Sequence, residues 1–174
     1  MAKKADASLA FGVGQSVVYP AHGVGRITGV EKQTVAGMDL EVYVVAFDQD
    51  KMILRVPTNR AEASGMRSLA GSKLVDDALK TLGGKARIKR TMWSRRAQEY
   101  EAKINSGSLI SIAEVVRDLH RGEDQPDQSY SERQLYESAL DRMARELAAV
   151  EQIDKDKAME KLAEGLAKKK RAAA

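Results

Sequence analysis

An α+β fold is predicted for this chain: a small antiparallel β-barrel comes first, and an all-α domain follows it. Three observations carry that reading. Residues 12 to about 68 hold short Val- and Tyr-rich runs separated by Gly, Pro and Asp turn signals, the pattern of a small barrel. From about residue 70 the apolar spacing becomes helical, with caps between segments. The length of 174 residues allows two small domains, each with its own core. The predicted divisions are a disordered lead at 1–10, a β module at 11–68, a helical module at 69–167 and a basic, Ala-ended tail at 168–174.

In the β module, Gln15–Tyr19 forms a short run closed by Pro20. Gly23–Val35 follows, with Ile27, Val30 and Val35 as apolar positions and glycines at 23, 25 and 29. Glycines inside such strands mark bends or bulges. Gly37 marks a turn, Leu40–Phe47 is the next strand, and Asp48-Gln-Asp50 is a tight turn. Met52–Val56 ends at Pro57.

In the helical module, Leu74, Ala78 and Leu82 lie four apart, and Gly83-Gly84 ends that helix. Trp93, Ala97, Tyr100 and Ile104 share one helix face, with Thr91 as N-cap and Asn105-Ser-Gly107 as the stop. Ser111 and Glu114 fit a capping box, with Ile110 and Val115 as its staple. That helix runs through Leu119 and ends near Gly122. Ser131 and Gln134 fit a second box, with Tyr130 and Leu135 as the staple. Leu135, Leu140, Met143, Leu147 and Val150 stripe that helix, and Met159, Leu162 and Leu166 stripe the last one.

The charge is uneven. Net charge is only +4, but residues 85–96 carry six basic residues and no acid, and they include Trp93, the only tryptophan. A basic segment neutralises phosphate irrespective of base sequence, and an aromatic beside it stacks on a base or wedges into a minor groove. Trp93 also has a plain structural reading, as the first residue of an apolar stripe. Arg95 and Arg96 are assigned to the DNA backbone, and Lys89 and Arg90 are weaker candidates in a flexible lead. Arg133, in the first turn of the Ser131 helix, is placed to reach phosphate.

Several chemistries find no support. The absence of cysteine removes disulfides, thiolate nucleophiles and the usual structural zinc sites, and it fits a reducing cytoplasm. No apolar run approaches the ~20 residues of a spanning helix, and no signal peptide is read at the start. His22 and His120 have no metal-ligand neighbours at useful spacing; His22 is read as structural and His120 as a surface helix residue. The run from Gly23 to Gly29 lacks the Gly-Lys-Ser/Thr ending of a P-loop. Asp76-Asp77 reads as a solvated helix face. No metal, cofactor or catalytic residue is predicted, and the chain is not read as an enzyme. Tyr19, Tyr43 and Phe47 have the composition of a methyl-lysine cage, although core packing is the preferred reading.

The run Val13-Gly-Gln-Ser-Val-Val-Tyr-Pro-Ala-His-Gly-Val-Gly25 resembles the start of the CarD family of bacterial transcription regulators. Arg55-Val-Pro and Trp93-Ser-Arg-Arg resemble further stretches of that family, and Ile112-Ala-Glu-Val-Val-Arg-Asp-Leu resembles its helical domain. The resemblance covers about residues 10–165. Transcription-repair coupling factors carry a similar β module, but this chain is too short for their helicase motor and has no Walker motif. The helical half with Trp-Ser-Arg-Arg is closer to the CarD/CdnL branch.

The resemblance implies a Tudor-like β domain that docks on the RNA polymerase β subunit. It implies a helical domain that touches promoter DNA at the upstream edge of the melted bubble. Trp93 would wedge there and stabilise the open complex, with a basic DNA contact near Arg133. Arg55 matches a polymerase-contacting arginine. Gln33 stands where the family often has a basic contact, which is a departure from its pattern. Val44, Val45 and Ile53 either line the docking edge or fill the barrel. The implied location is the cytoplasm, at the nucleoid through polymerase. Two other classes of function fit the residues: a general nucleic-acid-binding module and a pure protein adaptor. The end, Lys168-Lys-Lys-Arg-Ala-Ala-Ala174, resembles the Ala-Ala tails read by ClpXP-type proteases, with Ala173 and Ala174 as the signal.

Overall fold

The computed structural model describes residues 9–172, with side chains through Lys168. Residues 1–8 of the expected lead, the side chains of 169–172, and Ala173 and Ala174 lie outside the described residues. The chain divides into two compact units between Ser68 and Leu69.

The first unit is an antiparallel sheet of five strands: β1 (Ser16–Tyr19), β2 (Gly23–Val35), β3 (Met38–Phe47), β4 (Met52–Pro57) and β5 (Arg67–Ser68). Their order is β4-β3-β2-β1-β5. β2 and β3 form a long hairpin that turns on Ala36 and Gly37, at φ 51° and 78°. Two consecutive residues at positive φ match the right-handed twist of the flanking strands. The register slips between Ile27 and Gly29, a bulge that bends the hairpin. Gly25 is required by packing, since a Cβ there would stand 2.8 Å from both Phe47 and Val45.

The core of this unit gathers Phe11, Val17, Ile27, Tyr43, Val45, Phe47, Val56, Ala61 and Met66. Leu9, expected in a disordered lead, packs against it. Tyr43 is 0% and Phe47 2% exposed, so neither lines an aromatic cage. The Tyr43 hydroxyl accepts from the Phe11 backbone N–H at 3.2 Å, which satisfies its polar atom inside the core. His22 stacks on Tyr19 at 5.7 Å and contacts Phe47 at 5.6 Å, a structural position for this histidine.

The second unit contains α1 (Ser72–Leu82), α2 (Trp93–Ile104), α3 (Leu109–Leu119), α4 (Tyr130–Glu151) and α5 (Lys155–Ala172). One continuous core joins them, with Leu82, Tyr100, Ile104, Val115, Val116, Leu119, Met143 and Leu162 among its members. On α1 the inward residues are Val75, Ala78 and Leu82, whereas Leu74 is 38% exposed. The expected stripe was therefore one residue off at its first member. α5 continues to Ala172, so the segment from 168 is helical where a tail was expected.

Three helix starts differ from expectation. α2 begins after Met92, not Thr91, and has no side-chain cap. α3 begins three residues before the predicted box: Ser108 caps it by accepting from Ser111 N–H. Glu114 instead pairs with Lys103 at 2.8 Å. α4 is capped by Ser129, which accepts from Glu132 N–H. Both Ser129…Glu132 and Ser131…Gln134 fit the same four-residue pattern, and the acidic side chain belongs in the first turn, where the helix dipole favours it. His120 is half-buried, not a surface helix residue. It closes α3 as C-cap, and its Nδ1 lies 3.0 Å from the Tyr136 hydroxyl. Burial pushes the Tyr136 phenol pKa up.

Candidate nucleic-acid interface

The segment between α1 and α2 is anchored. Asp118, only 3% exposed, accepts from the Arg87 backbone N–H at 3.0 Å and from Arg117 Nε at 2.9 Å. A buried carboxylate needs such partners to offset its lost hydration. Lys89 then pairs with Glu99 on α2 at 3.1 Å. Lys89 and Arg90 thus lie on a tethered strap, not in a flexible lead. Arg90 is exposed.

At the first turn of α2, Met92 is 75% exposed, and Trp93 is partly buried against the helical core. Trp93 is thus neither a full core residue nor freely exposed. Its indole Nε1 donates to Ser131 Oγ on α4 at 3.1 Å. Its ring lies 6.3 Å from Tyr100, about two turns along the same face of the helix. The Arg96 guanidinium sits 5.4 Å from the Trp93 ring and 5.8 Å from the Tyr100 ring. It also donates to the Tyr100 hydroxyl at 3.4 Å, while its Nε is buried without a hydrogen-bond partner among the described residues.

Arg95 and Arg133 are exposed. Among the described residues no ion pair engages Arg90, Arg95 or Arg133. The indole–Ser131 bond brings the α4 start, which carries Arg133 and the 77%-exposed Tyr130, beside the α2 start. The structure therefore gathers Trp93, Arg96 and the first turn of α4. Arg95 lies on the same helical turn as Trp93.

In the β unit, Ile53 and Arg55 alternate with the inward Leu54 and Val56 on β4. Arg55 pairs in register with Val44, and Ile53 with Ala46. Gln33 on β2 is opposite Leu40. Arg55 Nε makes an ion pair with Glu31 at 3.3 Å, both side chains about half exposed. Ile53 is 61% exposed, whereas Val45 is fully buried and belongs to the core. Val44 is 8% exposed on the outward register.

Sequence reasoning missed Ser131 as the partner of Trp93, Arg96 as its stacking neighbour, and Glu31 as the partner of Arg55. The Arg96–Tyr100 pair was legible as an i, i+4 spacing. The Trp93–Ser131 bond, spanning 38 residues, was not. Among the described residues there is no cluster that would hold a metal ion, and no described helix is long and apolar enough to cross a membrane.

Residues 11–70 match the family model described as "CarD-like/TRCF RID domain", and residues 77–163 match "CarD, C-terminal domain". YdeB of Bacillus subtilis (strain 168), a protein named as a candidate transcription factor, is 25% identical over 143 residues, covering 82% of this chain and 94% of that protein. The solution structure of the 72-residue N-terminal domain of Myxococcus xanthus CarD is 35% identical. It covers 36% of this chain and 83% of that one, with a TM-score of 0.30. A β module and a helical module that both match in order define a two-domain transcription regulator. The chain belongs to the CarD family.

Proposed function

We propose that this protein binds RNA polymerase through its β unit and stabilises the promoter open complex through its helical unit. The β unit docks on the polymerase β subunit with the outward face of β4, where Arg55 and Ile53 lie, and with Gln33 on β2. The helical unit contacts promoter DNA at the upstream edge of the bubble. Trp93 wedges against a base step there, Arg95 and Arg133 bind backbone phosphate, and Lys89 and Arg90 add charge along the strap. The protein sits at the nucleoid through polymerase.

The observation that carries this reading is the sole tryptophan. It stands at a helix start, half-buried and held by side chains, in a segment with six basic residues and no acid. A core tryptophan needs no such company. The match to a CarD-like/TRCF RID domain supports polymerase as the partner in this reading.

The test is promoter open-complex lifetime with Trp93→Ala. Stacking of an aromatic on a base is worth about 1–3 kcal/mol. The lifetime should therefore shorten roughly 5- to 150-fold if all of it acts on the open state, with polymerase capture retained. Arg55→Glu should do the opposite, losing capture in a folded protein. Retained capture by Arg55→Glu would remove Arg55 from the interface. DNA binding that survives without any polymerase capture would favour a general nucleic-acid-binding module. Polymerase capture with no effect on DNA would favour a protein adaptor.

A further inference from the structure

We infer that Ser131 and Arg96 are positioning residues that fix the Trp93 indole in its DNA-facing orientation, and that Arg96 acts through this ring and not on phosphate. The inference rests on the reading of Trp93 as the DNA-contacting group.

Ser131 is available for this task because it does not cap α4. Ser129 makes the cap, and Ser131 stands in the first turn with its Oγ accepting the indole N–H. That bond fixes the edge of the ring. Arg96 fixes a face: its guanidinium lies near both the Trp93 and Tyr100 rings, and its donor NH2 reaches the Tyr100 hydroxyl. Tyr100 is itself buried in the helical core, 6% exposed, so the arginine is braced from behind by a packed side chain. The buried Nε without a partner fits a guanidinium placed for stacking rather than for forked contact with phosphate.

The frame joins two helices. Trp93 and Arg96 come from α2, and Ser131 comes from α4. An indole that is already oriented does not lose rotamer freedom when it meets DNA, and that preorganisation is retained as binding strength. Arg95, exposed and outside this frame, remains a phosphate contact. Adjacent arginines therefore do different work, as their ~100° separation around a helix requires.

Trp93 is the only tryptophan, so intrinsic fluorescence of the full-length protein reports on this ring alone. Ser131→Ala should lower Trp93 anisotropy and raise its quenching by acrylamide in the free protein. The protein should stay folded, with a thermal shift no larger than the loss of one hydrogen bond gives, and polymerase capture should stay as in the wild type. Open-complex lifetime should shorten roughly 2- to 10-fold, the scale of one neutral hydrogen bond. Ser131→Thr, which keeps the hydroxyl, should restore both readouts. Arg96→Lys keeps the charge and loses the planar stack. It should raise quenching and shorten the lifetime while leaving the salt dependence of DNA binding unchanged.

Wild-type anisotropy and quenching in Ser131→Ala would overturn the frame, and so would a freed indole with an unchanged lifetime. Wild-type behaviour of Arg96→Lys, together with a shallower salt dependence in Arg96→Ala, would return Arg96 to phosphate. Trp93→Ala separates the two levels. If it leaves the lifetime unchanged, the DNA-contacting reading fails and the frame has no purpose. If Trp93→Ala shortens the lifetime and Ser131→Ala does not, the frame alone fails.

Discussion

The two units treat most of their aromatic residues differently. In the β unit, Phe11, Tyr43 and Phe47 are buried in one core and Tyr19 packs partly buried against it. In the helical unit, Tyr100 is buried, but Trp93 is only partly covered and Tyr130 stands 77% exposed. Aromatic content therefore does not mark a binding surface. What distinguishes Trp93 is its position at a helix start, where the next turns of α2 supply a cation and a buried ring, and α4 supplies a hydroxyl. A core aromatic is held from all sides by apolar atoms. Trp93 is held at an edge and near one guanidinium, an arrangement that orients a ring without enclosing it.

The sharpest way to break this contrast is to truncate one aromatic in each unit. Phe47→Ala removes a ring that is 2% exposed and leaves a cavity against Gly25 and His22. A loss of about 3–5 kcal/mol is expected, enough to unfold much of a small module and with it polymerase capture. Trp93→Ala should cost the helical unit far less, because its ring keeps a solvent face. Urea unfolding of each full-length variant checks this. Equal destabilisation by the two substitutions would make Trp93 a core residue like Phe47 and erase the distinction.

A second expectation concerns charge. Arg55 in the β unit is paired with Glu31, while Arg95 and Arg133 on the helical unit carry no ion pair among the described residues. Each phosphate that a protein cation neutralises displaces about 0.9 of a counterion condensed on the DNA, and an arginine already paired with a carboxylate neutralises none. Arg95→Ala or Arg133→Ala should therefore lower the slope of log affinity for DNA against log salt by about 0.9 each. Arg55→Ala should leave that slope alone. Titration of promoter DNA at several salt concentrations gives the result, and a slope that falls for Arg55→Ala but not for Arg95→Ala would reverse the roles of the two units.

The sequence made much of this legible where the signal is local. The bounds of β2 were readable because Gly23 and Gly37 frame an alternating run, and α1 ends at Leu82 before the Gly83-Gly84 pair, although Gly83 keeps a right-handed φ of −79°. β5 was not readable, because two residues, Arg67 and Ser68, carry no period and exist as a strand only by pairing with β1. Helix starts slipped by two and three residues where a nearby serine offers a second cap, and the structure chose Ser108 and Ser129. The site divides the same way. The basic segment and Trp93 were visible as composition. The partner that orients the indole was hidden, because Ser131 is brought to it by the packing of α2 and α4 around a shared core.

The smallest expected effect on DNA concerns the C-terminal end, and it sharpens the comparison by asking whether basic charge outside the Trp93 surface matters. α5 carries Lys168 to Arg171 at its end, and Ala173 and Ala174 follow. If the four basic residues add phosphate attraction, the proposed DNA surface extends beyond the α2–α4 corner. If the final alanines are instead a degradation signal for a ClpXP-type protease, the end acts on protein lifetime and not on DNA. Ala173→Asp with Ala174→Asp separates these, because it blocks an Ala-Ala signal and leaves all four basic residues in place. The half-life after a translation block should lengthen, with DNA affinity nearly unchanged. Neutralising Lys168–Arg171 to glutamine in the same background measures the charge contribution; diffuse attraction of this kind is screened beyond ~8 Å at physiological salt. Equal half-lives for the wild-type and Asp-Asp proteins would end the degradation reading, and a marked loss of affinity in the glutamine variant would extend the DNA surface to the end of α5.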